Sequence, residues 1–365
     1  MNAQGKNVIN LGIGSPDISP SPQTIKALEH SANQDGHHGY QPYQGIQPLR
    51  KAMANWYKQT YQVDLDPNSE VLPLIGSKEG IFHISMAFLN PGDQVLVPNP
   101  GYPGYAGATR LLEADPIFYD LKENHNWKPD WNELDKIDTT KVKIMWINYP
   151  HMPTGAVANN DDFSRLVKFA SERNILLCND NPYSLILNPD KPLSLLSSSG
   201  AKANCLELNS LSKSHNMAGW RIGMVLGRSD YINTILKVKS NIDSGMFRAI
   251  QDAAITALDN RRQWHAEQNN IYRQRRRLTH RLMDQLGCRY DPETPGLFVW
   301  AKLPDLESSA ESLVDNLLYK ANVFITPGII FGDQGARYLR ASLCVPEEKI
   351  KEAIERIEKH LITAS

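Results

Sequence analysis

Several things are scarce in this sequence, and each shortage removes a class of protein. There are four cysteines, Cys178, Cys205, Cys288 and Cys344, and no two of them form a CxxC pair. A disulfide-stapled secreted scaffold or a cysteine-ligated zinc site therefore has no support, and buried free thiols in a reducing compartment are expected. No uninterrupted apolar run approaches the roughly 18 residues a membrane span needs. The opening MNAQGKNVINLGIGSPD also lacks the apolar h-region of a signal peptide. A cytoplasmic protein with no membrane partner is the expectation. Neither sign of charge dominates: 39 Lys and Arg against 40 Asp and Glu leave a net charge of −1, too little for a global field that draws in nucleic acid. There is no HExxH, and adjacent His37 and His38 cannot both face one ion from a helix, so no metal is expected.

What is present is an ordinary composition over 365 residues, enough for two domains with their own cores. From about residue 70, short β-branched runs alternate with helical patterns. Strands are expected at 71–75, 94–97, 143–148, 175–179, 205–209 and 222–226. Several are continuously apolar, as strands covered on both faces of a parallel sheet are. A crossover helix capped by Asn160 should bury Phe163, Leu166, Val167 and Ala170, which fall at i, i+3, i+4 and i+7. After about residue 231 long helices take over, followed by strands at 297–303, 323–326 and 338–343 and a closing helix from 347 to about 361. This reads as a smaller α+β domain, with the boundary in a long connecting helix between 250 and 286. The basic cluster Arg273, Arg275, Arg276, Arg277 and Arg281 reads as a solvated helix face, with no nucleic-acid motif beside it.

The chemistry concentrates in Ser210-Leu211-Ser212-Lys213 through Arg221-Ile222-Gly223. This stretch follows a predicted strand, so the lysine stands at a strand's carboxyl end, where open α/β sheets bind ligands. Flanked by hydroxyls and with Arg221 eight residues on, it suits a Schiff-base amine beside an anion-binding group, its pKa depressed by the guanidinium. Gly76-Ser77-Lys78-Glu79 follows the first strand and opens a helix, so its N–H groups and the Ser77 hydroxyl can cradle a phosphate dianion. No GxxxxGK[ST] is present, and Gly12 and Gly14 lack the third glycine of a dinucleotide fingerprint.

The Lys213 segment resembles the cofactor-lysine signature of the class I/II aminotransferases, pyridoxal-phosphate (PLP) enzymes of fold type I, and other pieces follow in that family's order. The resemblance implies an α/β fold. A large domain at 36–270 would hold a mostly parallel sheet covered by helices, and 1–35 with 271–365 would form the small domain. It implies a transaminase of amino-acid metabolism whose catalytic groups are Lys213, Asp180 and Tyr183. Gly76, Ser77, Lys78, Ser210, Ser212 and Arg221 would hold the phosphate, and Tyr102, in Pro98-Asn99-Pro100-Gly101-Tyr102, would stack on the pyridine. Asp180, in Asp180-Asn181-Pro182-Tyr183, would keep the ring nitrogen protonated, and Tyr183 would donate to the ring's phenolic oxygen. Gly14 and Arg340 would receive the substrate α-carboxylate. Tyr40 would reach across a homodimer interface to the neighbouring phosphate. Amino acids and 2-keto acids are the implied partners, with glutamate and 2-oxoglutarate as one pair and a ping-pong sequence.

The sequence departs from the family at one place. The usual N-P-T-G stands here as Met152-Pro153-Thr154-Gly155. Methionine donates no hydrogen bond to the cofactor's phenolic oxygen, so its yellow protonated form is expected to persist to higher pH. His151 or a rearranged loop could fill the gap. Gly76–Gly80 and Ser240–Gly245 look most like the alanine, aspartate and diaminopimelate branch. Arg248 and Asp243 could meet a substrate side chain, although each reads first as a solvated charge. Two other functions use the same machinery: a C–S β-lyase, and a non-catalytic PLP-fold regulator. The second normally carries a DNA-binding extension, and Met1 lies only about ten residues before the first family segment. The short N-terminal arm leaves the site to be closed by another element.

Overall fold

A computed structural model describes residues 1, 5–307 and 309–364. It opens with a two-residue strand, β1 (Ile9–Asn10). Seven strands follow: β2 (Val71–Leu74), β3 (Gln94–Asn99), β4 (Asp115–Asp120), β5 (Val142–Ile147), β6 (Leu176–Asp180), β7 (Cys205–Ser210) and β8 (Gly223–Gly227). They form one sheet in the order β2-β8-β7-β6-β5-β3-β4, in which β8 runs against both neighbours and the other pairs are parallel. The continuous apolar runs have the expected cause, because alternate side chains serve opposite cores. On β5, Met145 and Ile147 enter the core beneath the Gln47–Tyr61 and Asn160–Glu172 helices, while Ile144 and Trp146 enter the core under Ser77–Phe88, Pro103–Leu111 and Ser229–Lys239.

Strand β4 is not among the sequence expectations. It is the sheet's edge, with Pro116 inside it and mostly exposed or half-buried residues, so neither apolar continuity nor a clean alternation marks it. The crossover helix buries Phe163, Leu166, Val167 and Ala170 as expected, but its cap is Asn159 rather than Asn160. The Asn159 side chain accepts from the Asp162 N–H, and Asp162 reaches back to the Asn159 N–H.

The remaining strands are β9 (Arg289–Tyr290), β10 (Phe298–Lys302), β11 (Val323–Phe324), β12 (Thr326–Pro327) and β13 (Tyr338–Ser342). Four of them pair antiparallel in the order β12-β13-β10-β9, and β11 pairs with β1. Ile9 and Leu11 join the core of this second lobe with Leu282, Val299, Leu339 and Ile350. The Pro22–Ala32 helix packs instead along Arg248–Leu258, so the N-terminal segment serves both lobes. The expected long connector is two helices, Arg248–Leu258 and Arg262–Gln285.

The arginine cluster on that second helix is not one solvated face. Arg273, Arg277 and Arg281 are exposed, but Arg275 and Arg276 are buried. Arg275 forks onto both Asp17 oxygens at 2.6 and 2.9 Å and also donates to the Leu343 carbonyl, while Arg276 donates to Thr294 O and pairs with Glu293. The period places 275 and 276 toward the core, and a fork onto a carboxylate supplies the partner a buried guanidinium needs. All four cysteines are free and buried. Among the described residues, no helix is long and apolar enough to cross a membrane.

Candidate active site

Strands β2, β3, β5, β6 and β7 end at one edge of the sheet, and the reversed β8 begins there. That edge carries Ser77 and Lys78, Tyr102, Asp180 and Tyr183, then Ser210, Ser212 and Lys213, and finally Arg221. All of them line a single cavity of about 530 Å³, which Gly14 and Arg340 close from the second lobe. Its place outside the carboxyl ends of the strands is the one open α/β sheets use for ligands.

At one end the groups suit a phosphate. Gly76 caps the Ser77–Phe88 helix at φ 86°, in the left-handed region, and a Cβ there would collide with the Arg221 guanidinium. A helix N-terminus and a guanidinium therefore meet at glycine-only separation, beside the Ser210 and Ser212 hydroxyls. Ser210 Oγ is itself ordered, accepting from the Ser212 N–H at 3.1 Å.

Asp180 stands deeper, and burial pushes its carboxyl up to about 7. The Tyr105 hydroxyl donates to Oδ2 at 3.1 Å and opposes that rise, while the Glu207 charge adds to it. Oδ1 has no partner. A buried carboxylate oxygen left open suits a ring N–H⁺. Lys213 donates to the Gly14 carbonyl at 2.6 Å. Its amine is held below the usual lysine value first by burial; Cys344 and Asp180 oppose this, and Arg221 and Arg340 add to it. The guanidinium effect anticipated from the sequence is thus secondary. Tyr183 is buried with its ring edge-on to Phe298, and Tyr102 lies edge-on to Tyr105.

Arg340 supplies the opposite wall. It donates to the Gly12 carbonyl at 2.7 Å, touches Met152 Sδ at 3.4 Å, and lies over the rings of Phe298 and Phe331. Burial lowers it to about 10, and its Nε has no partner. Gly14 is required here because a Cβ would run into the Phe298 ring. His151 does not fill the place of the missing asparagine. Its Nδ1 bonds Thr154 Oγ1 at 2.8 Å, burial holds it down at about 3, and it does not line the cavity. Neither Arg248 nor Asp243 is a free solvated charge. Arg248 pairs with Asp252, and Asp243 takes both oxygens to the buried Lys239 near Glu79 and His83.

Tyr40 is a predicted site residue that does not line the cavity. It is 92% exposed, on a shallow hollow with His38, Ser244 and Phe247. Sequence reasoning missed Tyr105, Phe298, Phe331 and Glu207. Glu207 alone left a signal, a single acid inside the apolar run Cys205-Leu206-Glu207-Leu208. It is fully buried and accepts from Tyr57, Asn179 and the Leu195 N–H.

Comparison with known proteins agrees with this geometry. Residues 6–357 match the family model described as aminotransferase class I and II. The chain is 42% identical over 361 residues to an LL-diaminopimelate aminotransferase of Aquifex aeolicus, covering 97% of this chain and 92% of that one. It is equally 42% identical to an enzyme of the same name from Dehalococcoides mccartyi, over 97% and 92% of the two chains. Among solved structures, apo-BacF from Bacillus subtilis superposes with a TM-score of 0.92 at 36% identity, covering 96% of this chain and 94% of that one. The Thermus thermophilus aspartate aminotransferase with maleate gives 0.91 at 26%, over 98% and 93%. The chain belongs to the class I and II aminotransferases and is a PLP-dependent transaminase of fold type I.

Proposed function

We propose that this transaminase moves an amino group between LL-diaminopimelate and 2-oxoglutarate in two alternating half-reactions, as a cytoplasmic homodimer in which each protomer's Tyr40 serves its partner's cavity. The substrate reading is supported by the relatives at 42% identity that carry that name, and the dimer reading by a tyrosine left 92% exposed outside its own cavity. The observation that carries the chemistry is the convergence of Lys213, Asp180 with its open Oδ1, and Arg340, which has no carboxylate partner among the described residues, on one cavity. Residues 36–270 act as the cofactor domain, and 1–35 with 271–365 as the part that brings in Gly14 and Arg340.

When bound, PLP supplies a carbonyl for the amino group and an electron-poor ring that takes up the electron pair left by the departing α-proton. The protein's share follows from the walls. Gly76, Ser77, Lys78, Ser210, Ser212 and Arg221 would hold the phosphate, and Asp180 would pair with the ring nitrogen. Tyr183 would donate to the ring's oxygen, and Tyr102 would pack against the ring. Arg340 forks onto the substrate α-carboxylate, with Gly14 leaving room for the backbone beside it. Lys213 Nζ takes the proton from the donor's α-carbon and, in the second half, returns one to the acceptor's. An amine held below the usual lysine value suits this work, since less of it is tied up as the ammonium than in a free lysine.

The test is absorbance of the purified holoenzyme against LL-diaminopimelate, L-glutamate, L-aspartate and L-alanine, followed by 2-oxoglutarate. Conversion by LL-diaminopimelate, reversal by 2-oxoglutarate and parallel initial-velocity lines are expected. A spectrum indifferent to LL-diaminopimelate but responsive to another amino acid would reassign the donor. Pyruvate and ammonia from a cysteine-type substrate without any keto acid would mark a lyase.

A further inference from the structure

Arg340 takes part in none of the ion pairs among the described residues, although it is half-buried and burial works against its charge. What surrounds it is mostly not polar. Two acceptors touch it, the Gly12 carbonyl and the weakly accepting Met152 thioether. Two rings add to these: the guanidinium carbon lies 4.0 Å from the centroid of Phe298 and 4.5 Å from that of Phe331. A ring face attracts a cation through its quadrupole, and the attraction grows where water is excluded. A carboxylate partner would orient the guanidinium too, but it would occupy the fork and compete with the substrate. Ring faces fix the tilt of the plane and leave the fork's edge open.

Phe298 does more than this one contact. Its ring fills the space that Gly14 leaves by lacking a Cβ, and it stands edge-on to Tyr183 at 6.1 Å and 71°. One side chain thus touches three of the groups assigned to the substrate and cofactor. It sits on β10 at a position paired with Ser342, two residues along β13 from Arg340, so the sheet register sets both partners. We propose that Phe298, assisted by Phe331, is a positioning residue that holds the Arg340 guanidinium in the plane needed to fork onto the α-carboxylate. This rests on the reading of Arg340 as the carboxylate receptor.

The experiment compares holoenzyme variants on two amines, an amino acid and a primary alkylamine that lacks the α-carboxylate. Phe298→Leu stays close in volume but removes the ring face. It is expected to raise KM for the amino acid and the keto acid about tenfold each, the equivalent of about 1.4 kcal/mol. Its kcat, the absorbance of its bound cofactor and its rate with the alkylamine are expected to stay near wild type. Phe331→Leu should change the same quantities in the same direction, which keeps the test open if Phe298→Leu does not fold. Equal losses on both amines, or an unchanged KM in both variants, would overturn the positioning role. Arg340→Leu separates the two claims. If it abolishes the preference for the carboxylate-bearing amine while Phe298→Leu and Phe331→Leu keep it, only the positioning role falls. If Arg340→Leu keeps that preference, the receptor reading falls and the proposal with it.

Discussion

Asp180 and Arg340 face the same cavity from opposite lobes, yet one is backed by a hydrogen-bond network and the other, beyond one bond to the Gly12 carbonyl, by ring contacts. Behind Asp180 lies a polar network with Glu207 at its centre. That carboxylate is fully buried and bound by Tyr57 at 2.9 Å, Asn179 at 2.9 Å and the Leu195 N–H at 2.8 Å, and Asn209 continues the network to Tyr57. Asn179, Glu207 and Asn209 sit on strands β6 and β7, and Tyr57 reaches them from the Gln47–Tyr61 helix, so the sheet wall is ordered by strand register and a helix packed on it. The facing wall has Phe298, Phe331 and Met152 about Arg340, where the register of β10 and β13 brings Phe298 to Arg340 and ring contacts hold the guanidinium. A wall of directional bonds can hold charge and proton at fixed atoms, whereas a wall of rings can hold a cation while leaving its donors free. Loss of a sheet-wall residue should therefore abolish the chemistry, and loss of a ring-wall residue should weaken the grip.

Lys213→Ala offers the largest test of that contrast. It removes the amine proposed to carry the α-proton, and turnover should fall by about a thousandfold, as removal of an acid–base group does. Single-turnover absorbance on protein verified as folded by circular dichroism measures it. A variant retaining wild-type turnover would place the proton transfer elsewhere and break the division between the walls.

Asp180→Asn should act next, through pH. In cofactor-free protein burial holds Asp180 up at about 7. Below its ordinary value near 4 both folded and unfolded chains keep the proton, and between there and 7 only the folded chain does. The group's contribution to stability is therefore greatest at low pH, declines as pH rises through that window, and is flat above it. The decline is on the order of 4 kcal/mol. Asn carries no such slope, so the cofactor-free variant should lose less melting temperature from pH 4 to 8 than wild type. With PLP bound the order should invert, because the wild-type carboxylate then has its ring partner. Equal slopes in the two cofactor-free proteins would mean that Asp180 is not held neutral.

The same contrast explains what could be read in the sequence. Strands β2, β3 and β5 to β8 were visible because both faces are covered, which makes their runs continuously apolar. The turns at their ends carry the chemistry, so Gly76-Ser77-Lys78, Asp180-Asn181-Pro182-Tyr183 and Ser210 to Lys213 were legible together with the fold. Edge strand β4 was not, since Asp115, Pro116 and a half-exposed face give no periodic signal. The ring wall was illegible for another reason. Phe298 and Phe331 are ordinary apolar residues in apolar surroundings, and only the pairing of β10 with β13 brings Phe298 near Arg340. The pairing of buried Arg275 with Asp17 was hidden likewise, since 258 residues separate the partners.

Met152 is where the two walls meet, and the smallest predicted effect lies there. The residue follows the sheet strand β5, its N–H bonds Asn148 Oδ1 at 2.8 Å, and its sulfur touches Arg340 across the cavity. The sheet side at this position therefore presents a thioether where its other groups present donors. Met152→Asn would add an amide donor on the cavity surface, close to where Tyr183 also faces it. A donor to the cofactor's oxygen favours its unprotonated form, so the pH midpoint for loss of the yellow absorbance should fall, by about one unit or less for a single added bond. The sign is set by the charge: the bond stabilises an anionic oxygen, and the proton leaves more readily. A spectrophotometric titration of wild type and variant measures it. A midpoint that stays put while KM for the amino acid rises would assign Met152 to the ring wall, as a packing partner of Arg340.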